Sequence, residues 1–463
     1  MRKKALLAMM TAMILLLSGC ALIVKDEAVD NATEIIRMGD QVITKEKVKE
    51  QVQNELDQMA YMYSMYGQSY DVTDPENIAA AQEEAVDSLK KDLTLTAKAK
   101  ELGLDQLTEE ETEAVKADAQ KSYDDGIDYV KSYMLTDTEG MDDEAIAKAA
   151  ADRLTEMGVT LESYVESQTK SKIDDKLREY VIKDVTVTDE EIQADYDSKV
   201  ESDKNKYAES AGTWATAANN GTTLYYTPAG VRRVKQILTK FKDEDQTAID
   251  DAKKLVTDAN TAVTTAQAKV DAANETLKSE GIDDESAKDV KVQAEADLEA
   301  ANKELAEANA SLEAANKAVE EATDKAFANI DEDTDAILAS LDAEGADWQA
   351  IMDEKNQDPG MKTHEKGYAV AEGMTGFDSA FVEAAMALQN PGDHSGKVKG
   401  SSYGYYIIRY EGDEAEGPTP LEDVKETISS ALLTEKQNEV YDTTVDQWVQ
   451  EAGIKVDMNA LKD

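Results

Sequence analysis

The chain has 463 residues, 41% hydrophobic and 32% charged, enough for two or three domains with cores of their own. Its 98 acidic residues against 49 basic ones leave a net charge of −49, which excludes nucleic acid as a partner and argues against a broad electrostatic grip on anionic lipid. One cysteine and two histidines, His364 and His394, exclude a disulfide framework and a multi-histidine zinc centre, so neither metal nor cofactor is expected.

Arg2, Lys3 and Lys4 precede an apolar run from Ala5 to Leu17, followed by Ser18-Gly19-Cys20. A basic start, a short apolar core and small residues before a cleavage point describe a secretory signal over 1–20, too short for a comfortable membrane span. Leu17-Ser18-Gly19-Cys20 looks like the lipobox of bacterial lipoproteins, where the cysteine thiol takes a diacylglyceryl group. The alternative is a plain signal peptide with a chance cysteine, or an uncleaved anchor. The single cysteine stands at the expected cleavage point, which favours Cys20 as a lipidation site. Two acyl chains, at about 0.8 kcal/mol per buried methylene, hold a protein stably at a membrane. Residues 21–33 read as a polar, mostly structureless tether.

A globular region begins near Glu34. Ile35 to Thr44 reads as strand–turn–strand, and Thr44 caps a helix with Val48, Val52, Leu56 and Met59 at helical spacing. A Met/Tyr-rich stretch, Met59 to Gly67, follows. Further helices are predicted over Ala79–Leu102, Glu109–Tyr133 and Leu161–Ile182, and Val185 to Ile192 reads as a helix start with acidic residues in its first turn.

After a strand at Val231–Thr239 come two long heptad runs. Ile249, Ala252, Val256, Ala259, Val263, Ala266, Val270, Ala273 and Leu277 alternate in steps of three and four, as do Ala294 through Ala322. Each is one side of a coiled coil, and a polar turn at Ser279 to Asp283 folds them into an antiparallel hairpin with arms of roughly 45–50 Å. The arm can grip clients, dimerise or simply project. Asp331-Glu332-Asp333-Thr334-Asp335 mimics a calcium loop but lacks its sixth-position glycine, and reads as a helix-start charge cluster.

Downstream, Ala346-Asp347-Trp348 leads through a helix to Asn356-Gln357-Asp358-Pro359-Gly360. Ala380 to Leu388 reads as a short apolar helix, Asn390-Pro391-Gly392-Asp393 as a turn, and Tyr403 to Arg409 as a strand. In order and spacing these phrases resemble the parvulin family of peptidyl-prolyl isomerases. In that family two histidines on adjacent strands and a Cys or Asp form a hydrogen-bonded network beside an apolar proline pocket. Carried over, the histidine positions hold Gln236 and Tyr406, and the Cys/Asp position holds Asp358. Phe381 stands at the pocket phenylalanine and Phe377 at the usual methionine, with Met374 and Tyr368 as further substrate-binding residues. Gln and Tyr both donate and accept, so a neutral network with Asp358 is open to this chain, whereas paired imidazoles are not. His364 reads as a surface-loop residue and His394 as a solvated turn residue.

Two flanking phrases, Ala97 to Leu104 and Val187 to Ile192 with Tyr196 after it, resemble the chaperone region of PrsA-type and SurA-type foldases. There a C-terminal helix returns to the N-terminal region, and Leu421 to Trp448 fits that helix. The implied fold class is α+β: a mostly helical chaperone region (34–230), a parvulin-like α/β domain (231–412) interrupted by the helical hairpin (245–328), and a C-terminal returning helix (413–463). The implied function is that of an exported foldase, lipid-anchored at the extracytoplasmic face of the cell membrane, assisting unfolded secreted polypeptides by prolyl isomerisation. The rival reading is a non-catalytic holdase that uses the same pocket to bind peptides. A coiled-coil scaffold or adhesin would explain the hairpin alone, and a homodimer through it is an open outcome.

Overall fold

The computed structural model describes residues 27–461, apart from 136, 137, 139, 280, 281 and 283–286. The signal segment, Cys20, residues 21–26 of the tether and most of the hairpin turn therefore lie outside the described residues. The fold is α+β, with long helices and short antiparallel sheets, and it divides into two compact units. No helix among the described residues is long and apolar enough to cross a membrane.

The first unit comprises residues up to 187 together with those from 430 onward. Helix α1 (Glu27–Asn31) falls in the stretch expected to be structureless. Its Asp30 accepts an ion pair from Lys45 at 3.2 Å, and the Lys45 side chain is 1% exposed. That buried cation needs the carboxylate, so the end of the expected tether is ordered. Strands β1 (Glu34–Met38) and β2 (Gln41–Thr44) form the expected hairpin, turning through Gly39 at φ 58°. Helix α2 (Lys45–Met65) buries Val48, Val52 and Leu56 against Ala81, Ala85 and Leu89 of α3 (Pro75–Leu102). Thr44 stands at the N-cap of α2 but its side chain makes no capping bond.

Helices α4 (Glu109–Tyr133), α5 (Asp143–Glu156) and α6 (Leu161–Ile182) follow. The start of α4 is a full capping box between Thr108 and Glu111, a device that contributes about 1 kcal/mol. Helix α5 was not expected; its alanine-rich face buries only Ala150 and Leu154, too weak a pattern to announce it.

The second unit spans Thr188–Ser429. It begins earlier than expected, because α7 (Asp189–Tyr207) and α8 (Ala211–Asn219) pack with the sheet that follows. The Trp214 indole donates to the Tyr226 carbonyl at 2.7 Å, and the Asn219 amide both donates to and accepts from the Ala369 backbone at 2.8 Å. Strand β3 (Tyr226–Thr227) precedes β4 (Arg232–Lys240), the long central strand. With β5 (Tyr368–Val370), β6 (Val398–Lys399) and β7 (Gly404–Asp413) it makes an antiparallel sheet in the order β5-β4-β7-β6. A short pairing of β3 with β8 (Gly417–Pro418) closes the unit.

Between β4 and β5 stand the two arms, α9 (Asp243–Leu277) and α10 (Lys288–Leu341). Alanines at seven-residue steps, 252, 259, 266 and 273 on one arm and 294, 301, 308 and 315 on the other, are the buried seam. Small side chains there let the two backbones approach closely. Helix α10 runs past the repeat, so Asp331 to Asp335 lie inside it and not at a helix start. Lys397 bridges Asp331 and Asp335, each at 2.6 Å. The hairpin root is an aromatic knot: Phe241 and Phe327 meet at 4.8 Å, as do Phe327 and Tyr405. Two short helices complete the unit, α11 (Trp348–Lys355) and α12 (Ser379–Ala387), and α13 (Leu421–Glu451) leads out of it. The later part of α13 supplies Tyr441, Val445 and Trp448 to a cluster with Leu95 and Leu177 in the first unit. Strand β9 (Lys455–Val456) then pairs with β1.

Candidate active site

Strand alternation divides the central pair β4–β7 into two faces. Gln236 opposes Ile408 and Leu238 opposes Tyr406, so these four side chains share one face. The other carries Lys235, Thr239, Tyr405 and Arg409; there Lys235 bonds Gln349 of α11 at 3.0 Å and Arg409 lies over Trp348. The Gln236 face, together with α12 and the loops after α11 and β6, encloses an open cavity of about 600 Å³.

Its walls are aromatic and continuous. Tyr368 meets Phe377 edge-on at 5.0 Å, Phe377 meets Phe381 at 5.7 Å, and Phe381 meets Tyr406 edge-on at 5.4 Å. Phe381 is 2% exposed, so it serves both the core and the cavity wall. Glycine makes two of these placements possible. A Cβ on Gly360 would fall 1.9 Å from the Tyr368 hydroxyl, and one on Gly400 would fall 2.5 Å from the Tyr406 ring.

Asp358 is the polar centre. Its Oδ2 accepts from Gln236 Nε2 at 2.7 Å and from the Tyr368 hydroxyl at 2.9 Å, and its Oδ1 accepts from the Gly360 amide at 2.8 Å. Asn356 holds the loop on the edge of β4, accepting from the amides of Leu238 and Asp358 at 2.9 and 3.0 Å. The accepting carboxylate fixes the Gln236 amide with its NH2 toward it. Its Oε1 is then buried with no hydrogen-bond partner. The Tyr406 hydroxyl likewise makes no hydrogen bond among the described residues. Burial pushes both tyrosine hydroxyls up, seconded by Asp358 at Tyr368 and by Asp378 at Tyr406. Both stay neutral O–H donors far above neutral pH.

Of the residues singled out in the sequence, Gln236, Asp358, Tyr368, Phe377, Phe381 and Tyr406 come together here. Met374 does not. It is 8% exposed in the core beneath the cavity, its backbone so close to Gly212 of α8 that a Cβ there would fall 2.3 Å from the Met374 nitrogen. His364 lies in a loop but is half-buried and held: its ring contacts the carbonyls of Gly360 at 2.9 Å and Asn219 at 3.1 Å, and lies tilted 4.7 Å from the Tyr368 ring. Nor is His394 simply solvated. It lies 3.3 Å from Asp342 and 6.0 Å from the Trp348 ring.

The sequence reading missed the rim. Asp378 caps α12 and also accepts from the backbone and hydroxyl of Ser401, tying the loop 401–403 to the aromatic wall. Its N-cap position ahead of an apolar helix was the available signal. Among the described residues no cluster of His, Cys, Asp and Glu is placed to hold a metal ion.

The chain is 30% identical over 128 residues to the foldase protein PrsA of Clostridium botulinum, which is 27% of this chain and 37% of that one. It is 33% identical over 122 residues to the foldase protein PrsA 2 of Listeria innocua, 26% of this chain and 40% of the relative. The chain thus spans less than half the length of the curated relatives it matches. No protein-family model matches it. Among solved structures, a foldase protein PrsA from Streptococcus pneumoniae pairs with 93% of this chain and 97% of its own, at 15% identity and a TM-score of 0.19. A SurA-like chaperone structure from Campylobacter jejuni covers 92% and 100%, at 14% identity and a TM-score of 0.24. Scores that low carry no structural argument, and the sequence relatives carry the comparison.

Proposed function

We propose that this chain, a relative of the PrsA/SurA-type foldases, is an exported foldase whose second unit is a parvulin-like prolyl isomerase domain. The observation that carries the reading is the aromatic cavity of Tyr368, Phe377, Phe381 and Tyr406 beside the Gln236–Asp358 pair. Rotation about an X–Pro bond meets a barrier of about 18–20 kcal/mol because the planar amide is resonance-stabilised. Water favours the charge-separated planar form. An aromatic enclosure removes that solvation and receives the pyrrolidine ring, so the twisted state loses less than the ground state.

Twisting returns a lone pair to the prolyl nitrogen, and a hydrogen-bond donor on that side lowers the barrier further. Tyr406, seated in the aromatic wall, supplies a cavity-facing hydroxyl that makes no hydrogen bond among the described residues and is kept protonated by its burial. Asp358 acts as a positioning residue: with three donors already engaged it orients Gln236 and Tyr368 and does not polarise the substrate itself.

The same saturation favours the second reading, a holdase. A pocket without imidazoles whose carboxylate already accepts three hydrogen bonds binds peptide with little chemistry. A prolyl-peptide exchange assay separates the two, run on the chain, on Phe381→Ala and on the double variant Gln236→His/Tyr406→His. Acceleration by the chain that Phe381→Ala abolishes supports the isomerase. No acceleration by any of them, with suppression of client aggregation intact, leaves the holdase.

Unfolded secreted polypeptides are the proposed clients, and lipid anchoring through Cys20 at the extracytoplasmic face is the proposed location. Membrane fractionation of Cys20→Ser tests the anchor: a chain that stays with the membrane is not held by that acyl group.

A further inference from the structure

The end of α2 carries Tyr61-Met62-Tyr63-Ser64-Met65-Tyr66. Helical spacing sets Tyr61 with Met65 and Met62 with Tyr66 on one side. Their exposures are 68%, 70%, 43% and 79%, high for such side chains on a folded unit. Tyr63 turns the other way and meets the Tyr70 ring at 5.1 Å.

The charge along this part of the chain has one sign. Between Lys49 and Lys90 the chain holds nine carboxylates and no lysine or arginine. Asp57 stands one turn before Tyr61 on the same side, and Asp71, Asp74 and Glu76 follow the turn at Gly67. The Thr73 hydroxyl and amide donate to Asp71 at 2.7 and 2.9 Å and hold its carboxyl below the usual carboxylate range, so it stays charged.

Methionine side chains adapt to varied apolar partners, and tyrosine faces attract cations. An adaptable apolar stripe in an anionic surround suits an extended segment that alternates aliphatic and lysine or arginine side chains. We propose that this patch captures cationic segments of unfolded polypeptides, a client class that rests on the foldase reading. A second copy of the chain would bring the same carboxylates against these ones, and an anionic lipid surface would be repelled.

The test uses the chain carrying Cys20→Ser, so that no acyl group contributes, and a fluorescein-labelled, proline-free peptide of alternating lysine and valine. Its partner probe replaces every lysine with glutamate. The lysine peptide should bind about tenfold tighter than the glutamate peptide, and weaken as salt rises from about 50 to 300 mM. The variant Tyr61→Ser/Met62→Ser/Met65→Ser/Tyr66→Ser should bind it about fivefold more weakly with unchanged circular dichroism. The milder pair Met65→Gln/Tyr66→Gln, expected near twofold, serves if the quadruple variant loses helicity.

Equal binding of the two peptides, or unchanged affinity in the variants, overturns the proposal. So does a dimer in light scattering that the variants convert to monomer, or cosedimentation with neutral vesicles that they abolish. Because the probe lacks proline, its failure leaves the cavity reading untouched, and failure of Phe381→Ala to alter isomerisation leaves the patch untouched.

Discussion

Replacing Tyr406 by phenylalanine removes one oxygen from the cavity wall and leaves the ring. That oxygen makes no hydrogen bond within the described residues, whereas the ring packs edge-on against Phe381 at 5.4 Å. The folded unit therefore loses no bond and keeps its packing, so stability should change by less than about 0.5 kcal/mol, roughly 1–2 °C for a unit of this size. If the hydroxyl donates to the prolyl nitrogen only in the twisted state, one neutral hydrogen bond of about 0.5–1.5 kcal/mol is lost from the transition state. The rate constant for isomerisation should then fall about two- to twelvefold. Exchange of a prolyl peptide by NMR gives the rate, and thermal unfolding of the same samples gives the stability. An unchanged rate refutes the hydroxyl's role. A drop of several degrees refutes the geometry, since it would mean the hydroxyl is bonded in the fold.

Three further outcomes follow from the same contacts. Gly360→Ala places a Cβ 1.9 Å from the Tyr368 hydroxyl, so that bond to Asp358 should break at a cost of about 1–2 kcal/mol; an unchanged melting temperature would contradict it. Tyr368 and Tyr406 titrate above their ordinary value of 10.0 in the folded state, which adds stability below pH 10 that is lost as pH rises through the folded values. Urea midpoints should thus hold level from about pH 7 to 9 and fall above about 10. Ala308→Leu, in the buried seam, should force the arms apart by about 1–3 kcal/mol and expose the hairpin to protease, while Ala310→Leu on the exposed side should not.

What the sequence disclosed follows the range of the interactions concerned. The arms and most helices are legible because each repeats a short-range pattern, as the seven-residue alanine steps do. The bounds of the second unit are not, because the bonds that decide them join Trp214 to Tyr226, and Asn219 to Ala369 150 residues away. Neither pairing leaves a local trace. His364 is the same case: its two carbonyl contacts come from Gly360 and from Asn219 at the end of another helix. Met374 was misplaced because order in the chain puts it near Phe377, yet the turn between them directs it into the core.

The site shows the complementary limit. The resemblance to the parvulin family brought Gln236, Asp358 and Tyr406 into one list, and the fold does bring them to one cavity. It could not say that Asp358 would spend its acceptors on Gln236, Tyr368 and the Gly360 amide while Tyr406 spent nothing. That distribution of bonds matters more than residue type for what the cavity can do. A carboxylate that already accepts three hydrogen bonds is a strut, and a cavity-facing hydroxyl without a partner is the group with something left to offer a substrate. On the proposed isomerase reading, chemistry at this site would turn on Tyr406 and the aromatic wall, with Asp358 positioning Gln236 and Tyr368.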